Sequence, residues 1–162
     1  MSTFEEMFES ILEKIFKNCN TNNVFKKCIS EETNHECLVM LEKPSIDFCC
    51  NETRSVTNKN TAKFRCNGLV VVTIFDLTSH ILVDSILHKT VTYDNRTILT
   101  TYKVGDFVEP DSFDTDLDEV CTNGIHYFLT LKAAIGYKKK KGYCIIDGHR
   151  YDDDGNIENF GF

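Results

Sequence analysis

The chain has 162 residues, 18 Lys+Arg against 25 Asp+Glu, and a formal net charge of -7. That length fits one domain with its own core, and 41% hydrophobic with 27% charged residues is globular rather than disordered composition. The acidic balance argues against a duplex nucleic-acid binder, which needs a basic surface to neutralise phosphates. No apolar run approaches the length of a membrane span: the strongest, residues 68 to 75, is far too short.

Residues 3 to 18 predict an amphipathic helix. Phe4, Met7, Phe8, Ile11, Leu12, Ile15 and Phe16 follow the helical spacing and form one stripe. Ser2 with Glu5, or Thr3 with Glu6, supplies a capping box. The stripe is expected to dock on the chain's own core, or on a protein partner or a second copy through the Phe4 to Phe16 face. Glu5 and Glu6 stand where a secretory signal would carry basic charge, so the protein is expected to stay in the cytoplasm, with no membrane partner. Its eight cysteines then read as reduced thiols.

The remaining chain predicts mostly strands. Residues 19 to 36 read as a polar linker with Val24 and Phe25 as a small anchor. Cys37 to Leu41 reads as a buried strand ending near Pro44. Ser45 to Lys63 is a polar loop. Phe64 to Phe75 is a second strand region in which Gly68 marks a bulge or a close backbone approach. Ile81 to Leu87 fits either a strand or a short helix. Thr90 to Tyr93 and Thr97 to Lys103 form a hairpin. An acidic loop over residues 105 to 119 leads to a strand at Ile125 to Leu129, then a short helix capped by Thr130. Tyr143 to Asp147 is a strand, and Asp154-Gly155 turns a terminal hairpin. The expected class is α+β: an N-terminal helix over 1–18, the linker over 19–36, a β-rich core over 37–147 and a C-terminal hairpin over 148–162.

The candidate chemistry gathers around residues 121 to 137. His126 shares a strand face with Phe128, while Ile125, Tyr127 and Leu129 take the other. It can act as an acid-base or ligand-binding group, or sit as a core histidine bonded to a backbone carbonyl. Cys121 is a candidate nucleophile only if the fold brings a base to it, since five residues across a turn do not place it on His126. Gly124 and Tyr137 complete the set of candidate ligand-binding positions with His126. No metal and no cofactor is expected. There is no CxxC pair, and the acids at 106 to 119 and 152 to 154 lack the glycine and closing glutamate of a calcium loop. Asn51-Glu52-Thr53 and Asn95-Arg96-Thr97 match the glycosylation pattern by chance in a cytosolic chain.

The pattern Arg65-Cys66, then Tyr102-Lys103-Val104-Gly105, Val108, Asp111, Phe113 and Asp114, then Cys121, Gly124-Ile125-His126 and Phe128, resembles a domain of unknown function. That domain occurs in large DNA viruses of eukaryotes and in phage or bacterial proteins, sometimes beside pentapeptide repeats. The resemblance covers roughly residues 38 to 137 and implies a viral setting, without an established activity. Residues 148 to 162 are similar to short hairpin repeats of the form Gly-x-x-Tyr-x-x-x-Gly. Gly124 to Phe128 with Ala133 or Ala134 and Tyr137 is similar to the central strand and following helix of ADP-ribosyltransferases. That similarity implies a nucleotide-binding enzyme. The chain departs from it in having no clear dinucleotide start motif and, for the catalytic glutamate, only Glu158 in a hairpin. The reading favoured by the sequence is a non-enzymatic protein-interaction or structural domain, with the ADP-ribosyltransferase-like enzyme as the alternative.

Overall fold

A computed structural model describes residues 4–17, 20–91, 95–138 and 142–158, without the side chains of Phe4, Glu5, Met7, Phe8 and Ile11. Among these residues the fold is β-rich, with thirteen strands and two helices. A seven-stranded antiparallel sheet forms its centre and curls into a half-barrel. Its order is β3 (Lys63–Cys66), β9 (Ile125–Phe128), β1 (Asn23–Ile29), β2 (Glu36–Glu42), β4 (Leu69–Asp76) and β5 (Ile81–Val83). The short β8 (Phe107–Val108) pairs with the start of β4.

Strand alternation divides the apolar residues between two cores. Val24 and Cys28 of β1, Val39 and Leu41 of β2, Phe64 and Cys66 of β3, and Ile125 and Tyr127 of β9 fill the first. A ribbon of β6 (Ser85–Val91) and β7 (Thr97–Lys103) adds Ile86 and Tyr102 to it. Phe25, Leu38, Met40, Phe75 and Phe128 point the other way into the second core. Both faces of β2 are therefore buried, as an unbroken apolar run requires. Between Met40 and Leu41 the register slips, because Met40 faces Thr73 while Leu41 faces Val71. The extra residue, Val72, bulges and packs on the second core.

The second core is covered by α1 (Phe4–Ile15), α2 (Leu131–Gly136) and a small sheet of β10 (Tyr137–Lys138), β11 (Tyr143–Ile146), β12 (His149–Tyr151) and β13 (Ile157–Glu158). Thr130 caps α2, its side chain accepting from the Ala133 N–H. Leu12 and Phe16 are buried, and the Phe16 ring meets Phe25 edge-on at 6.1 Å. Phe4, Met7, Phe8 and Ile11, the rest of the predicted stripe, lie outside the described side chains.

Two expectations are corrected, and a third, left open between strand and helix, is decided for strand. The segment 19–36 is not a linker: it carries β1, which lies between β9 and β2 inside the sheet. The lysines that made it look solvated are tethered, Lys26 Nζ to the His126 carbonyl at 3.0 Å and Lys27 Nζ to the Ile135 carbonyl at 2.8 Å. Residues 64 to 75 are two strands, not one. Gly68 separates β3 from β4, and a Cβ there would lie 2.3 Å from the Phe107 ring, so close approach is its role. Ile81 to Leu87 resolves into β5 and the start of β6, with no helix.

The C-terminal hairpin is tied to the main sheet. Arg54, 6% exposed, donates Nη1 to the Lys63 carbonyl at 2.9 Å and Nη2 to the Asp153 carbonyl at 2.8 Å. The Lys63 N–H donates to that same Asp153 carbonyl at 3.0 Å. Residues 152 to 155 thus continue the hydrogen bonding of the β3 edge.

At the β4–β5 turn, buried Asp76 accepts from the N–H groups of Thr78 and Ser79 and meets His35 Nδ1 at 2.8 Å. Burial works against its charge, but the Ser79 N–H, His35 and the Thr78 N–H prevail and hold its pKa down to about 2. A carboxylate whose pKa is depressed on folding contributes stability above its unfolded pKa and loses it as pH falls. Acid titration of stability is expected to lose roughly 2–3 kcal/mol from this group between about pH 4 and pH 2. Asp76→Asn keeps an acceptor for the turn and is expected to flatten that limb in urea melts taken across the range.

Candidate functional site

The site begins with a buried arginine. Arg65 is fully buried on β3, and burying a guanidinium is tolerable only where its donors are used. It donates Nε to the Glu119 carbonyl at 2.9 Å, Nη1 to the carbonyls of Asp114 at 2.5 Å and Asn123 at 3.2 Å, and Nη2 to the Asp116 carbonyl. Its guanidinium lies 5.1 Å from the Phe113 ring centre. Asn51, also buried, accepts from the Arg65 N–H at 2.8 Å and donates to the Glu119 carbonyl at 3.2 Å. One planar cation therefore folds residues 113 to 123 around itself. The acids of this loop contribute carbonyls inward and leave their carboxylates largely in solvent. A buried Asn51 is also closed to glycosylation.

Gly124 follows the loop at φ +153°, and a Cβ there would lie 3.1 Å from the Cys66 carbonyl oxygen and 3.2 Å from both Arg65 Cβ and Phe113. Gly124→Ala is expected to cost about 1–3 kcal/mol, read as a lower urea midpoint, with larger residues faring worse.

Beyond Gly124, β9 pairs with β1 at Phe25–Phe128 and the two strands then separate. Lys26 spans the gap with its bond to the His126 carbonyl. The gap opens into a cleft of about 280 Å3, lined by the β6–β7 ribbon and by Phe128 and Tyr137. Cys121, Gly124, His126 and Tyr137 all line it. Its charged and titratable lining is Lys26, Lys27, Lys63, His88, Tyr102, His126, Cys121 and Tyr137, with Asp111 as the sole lining carboxylate among the described residues. Asp111 pairs with Arg96 at 3.4 Å.

His126 Nε2 lies 3.2 Å from the Val120 carbonyl, which fixes the proton on that nitrogen. Burial, then Lys63 and Lys26, push its pKa well below the ordinary histidine value, against the opposing pull of the Val120 carbonyl. A histidine kept neutral in the fold but free to protonate when unfolded loses the protein stability as pH falls through about 6.5. His126 is accordingly expected to titrate, by NMR, well below the ordinary histidine range. His126→Ala should cost about 1–3 kcal/mol through the orphaned Val120 carbonyl.

Cys121 does not bond to His126. Its Sγ donates to Asp153 Oδ2 at 3.3 Å and accepts from Lys63 Nζ at 3.6 Å. Burial and Asp153 raise its pKa despite Lys63, so the thiol stays protonated near neutrality. Lys63 Nζ also donates to the Tyr137 hydroxyl at 3.0 Å. Burial opposes the ammonium, but Tyr137, Asp153 and Cys121 outweigh it and hold the Lys63 pKa above the ordinary lysine value. Tyr137 is raised, chiefly by burial, and stays a phenol. Glu158 lies in the C-terminal hairpin, bonded to Arg150 at 2.5 Å, and does not line the cleft.

The three lysines and Arg65 are what residue-by-residue reading passed over. The one usable signal was Arg65 itself, a cation between Phe64 and Cys66 in an apolar segment, where charge implies fixed partners. Among the described residues, no three His, Cys, Asp or Glu side chains come together as a metal-binding group. No helix among them is long and apolar enough to cross a membrane.

The profile of a family of unknown function (DUF5758) matches residues 13–134. No curated protein and no solved structure matches the chain. The matched region runs from the end of α1 to α2 and contains β1 to β9, the Arg65-centred loop and most of the cleft. Since it takes in well over half of the 162 residues, the chain belongs to this family of unknown function.

Proposed function

We propose that this is a non-enzymatic binding domain whose cleft receives an acidic segment of a protein partner. The observation that carries the reading is the charge of the cleft. Lys26 and Lys63 line it, Lys27 joins them while paired with Glu36 at 2.9 Å, and Asp111 is the one lining carboxylate among the described residues, in a chain of net charge -7. Such a local reversal of sign attracts an anion and fixes its register. Half-buried Tyr137, its ring packed on Phe128 at 5.1 Å, suits an apolar side chain flanking the acids. The chemistry of the lining favours binding over turnover. The Cys121 thiol is protonated, His126 has its Nε2 committed, and Lys63 is charged, so none is poised as nucleophile or base. The alternative, an ADP-ribosyltransferase-like enzyme, needs a carboxylate at the nicotinamide ribose, and Glu158 lies away from the cleft.

The proposal sets the domain in the cytoplasm of a virus-infected cell, following the resemblance carried by Arg65-Cys66 and Gly124-Ile125-His126. It also keeps the Phe4 to Phe16 face as a second surface for a partner or another copy.

The test is calorimetric titration with a glutamate-rich peptide bearing two aromatic residues, beside its glutamine counterpart and NAD. The acidic peptide is expected to bind at low salt and weaken steeply as salt rises. Lys26→Gln with Lys63→Gln is expected to weaken it at least tenfold. NAD is expected to show neither saturable binding at millimolar concentration nor glycohydrolysis. Equal binding of the glutamine peptide would overturn the charge argument, and NAD turnover lost in Glu158→Gln would replace the reading with the enzymatic one.

A further inference from the structure

Eight cysteines in one small chain invite a question that the cleft does not answer. The topology sets two pairs of them directly opposite one another, Cys28 with Cys37 and Cys50 with Cys66. The two pairs differ in geometry and in access.

Cys50 and Cys66 form an isolated antiparallel bridge beside β3. The Asn51 N–H donates to the Arg65 carbonyl at 3.1 Å, and the Asn67 N–H donates to the Cys49 carbonyl at 3.0 Å. Those two bonds flank the cysteines, which makes theirs the narrow, non-hydrogen-bonded kind of pair. In pairs of that kind the Cα atoms stand about 4.5 Å apart. Disulfides accept Cα separations of about 4.4–6.8 Å. Directly opposed residues project from the same face, and both thiols pack on the first core. Cys66 is fully buried and Cys50 is half-buried, so one thiol of the two is open to a reagent. The neighbouring Cys49 is exposed and projects to the other face.

Cys28 and Cys37 face one another in β1 and β2. Two residues along, the Ser30 N–H donates to the His35 carbonyl at 2.9 Å, so by alternation Cys28 and Cys37 are a wide, hydrogen-bonded pair. Both are buried, at 0% and 1% exposure, and neither is offered to solvent.

We propose that Cys50 and Cys66 are a redox-responsive pair that closes into a cross-strand disulfide when the chain meets an oxidised low-molecular-weight disulfide. The Cys50 thiolate attacks one sulfur of the reagent and expels one small thiolate, leaving a mixed disulfide on Cys50. The Cys66 thiolate then attacks the Cys50 sulfur and expels the second small thiolate. Two protein thiols are oxidised, each losing its proton to solvent, and one external disulfide is reduced to two thiols. Both sulfurs must turn from their present acceptors, the Glu52 carboxylate at 3.5 Å and the Gly68 carbonyl at 3.7 Å. Burial raises the Cys50 pKa and pushes Cys66 up to about 12, so the closure is slow near neutrality and quickens with pH. The bond joins the segment holding Asn51 and Glu52 to the strand holding Arg65, and so staples the base of the loop that borders the cleft. This inference does not rest on the cleft having a ligand.

The experiment uses the full chain, reduced, freed of reductant and incubated with oxidised glutathione, then trapped with N-ethylmaleimide, digested and read by mass spectrometry. The expected product is a chain lighter by two hydrogens, with a peptide cross-link between Cys50 and Cys66. Its rate should rise roughly tenfold per pH unit while both thiols remain mostly protonated. The oxidised form should melt several degrees higher than the reduced form. Cys49→Ser and Cys28→Ser should leave the product intact, and Cys50→Ser and Cys66→Ser should each abolish it. Glutathione left unresolved on Cys50, a cross-link through Cys49, the same product in Cys66→Ser, or no oxidised product would each overturn the proposal.

Discussion

Replacing Arg65 with methionine is expected to lower the unfolding free energy by about 3–5 kcal/mol, the range for breaking a buried charged network. Methionine fills much of the volume and restores none of the four hydrogen bonds to the carbonyls of Asp114, Asp116, Glu119 and Asn123. Each carbonyl then either stays dry and unpaired or pulls its loop out to water. The loop's other ties include the Asp114 N–H to the Asn123 carbonyl at 3.0 Å, Thr122 Oγ1 to Asp114 at 2.9 Å, Asn51 to Glu119, His126 to the Val120 carbonyl and Cys121 to Asp153 and Lys63, and none of them reaches the Asp114 carbonyl that the arginine holds. Amide exchange over residues 113 to 124 should therefore rise by more than exchange in β2 and β4. Arg65→Lys separates charge from geometry, because an ammonium cannot reach four carbonyls spread along a planar fork. It is expected to recover less than half of the loss. A urea midpoint unchanged in Arg65→Met, with unchanged loop exchange, would show that the loop is held by something other than this cation.

That arginine also marks where sequence reading stops. Patterns within a few residues were readable: the run Cys37 to Leu41 lies in β2, β6 and β7 pair antiparallel, Thr130 caps α2, and Asp154-Gly155 lies between the last two strands. Each of these rests on local spacing or a local cap. Strand β1 was not readable, because Lys26 and Lys27 interrupt its alternation. Their partners lie 100 and 108 residues away, which no local pattern reveals. The cleft was half readable. Gly124, His126, Cys121 and Tyr137 stood out as chemical types, and they do share one cavity. Lys63, the group that joins Cys121 to Tyr137, looked like the end of a polar loop. A lysine carries no mark in sequence that tells a solvated ammonium from one held between a thiol and a phenol.

The second large effect concerns the N-terminal helix. Deleting residues 1–17 is expected to destabilise the domain by about 3–6 kcal/mol, taking roughly 1.5–3 kcal/mol for each of the fully buried Leu12 and Phe16 side chains. The family match begins inside this helix at residue 13, so the deletion also removes matched sequence. The uncovered surface is the reason to expect more than a lower melting temperature. Phe25, Leu38, Met40 and Phe128 share the core that Leu12 and Phe16 close, and each is at most 8% exposed in the intact chain. Opening that patch to water favours self-association, so the truncated chain should elute as larger species at micromolar concentration. Phe16→Ala is the milder version. It removes the edge-on contact with Phe25 while keeping the helix, and should cost about 3 kcal/mol without a change in size. The two variants together divide the uses of the helix. If the truncated chain melts unchanged and stays the same size, the stripe belongs to an external partner. If Phe16→Ala alone reproduces most of the loss, the helix serves its own core, and any partner must bind elsewhere, with the lysine-lined cleft the surface to try.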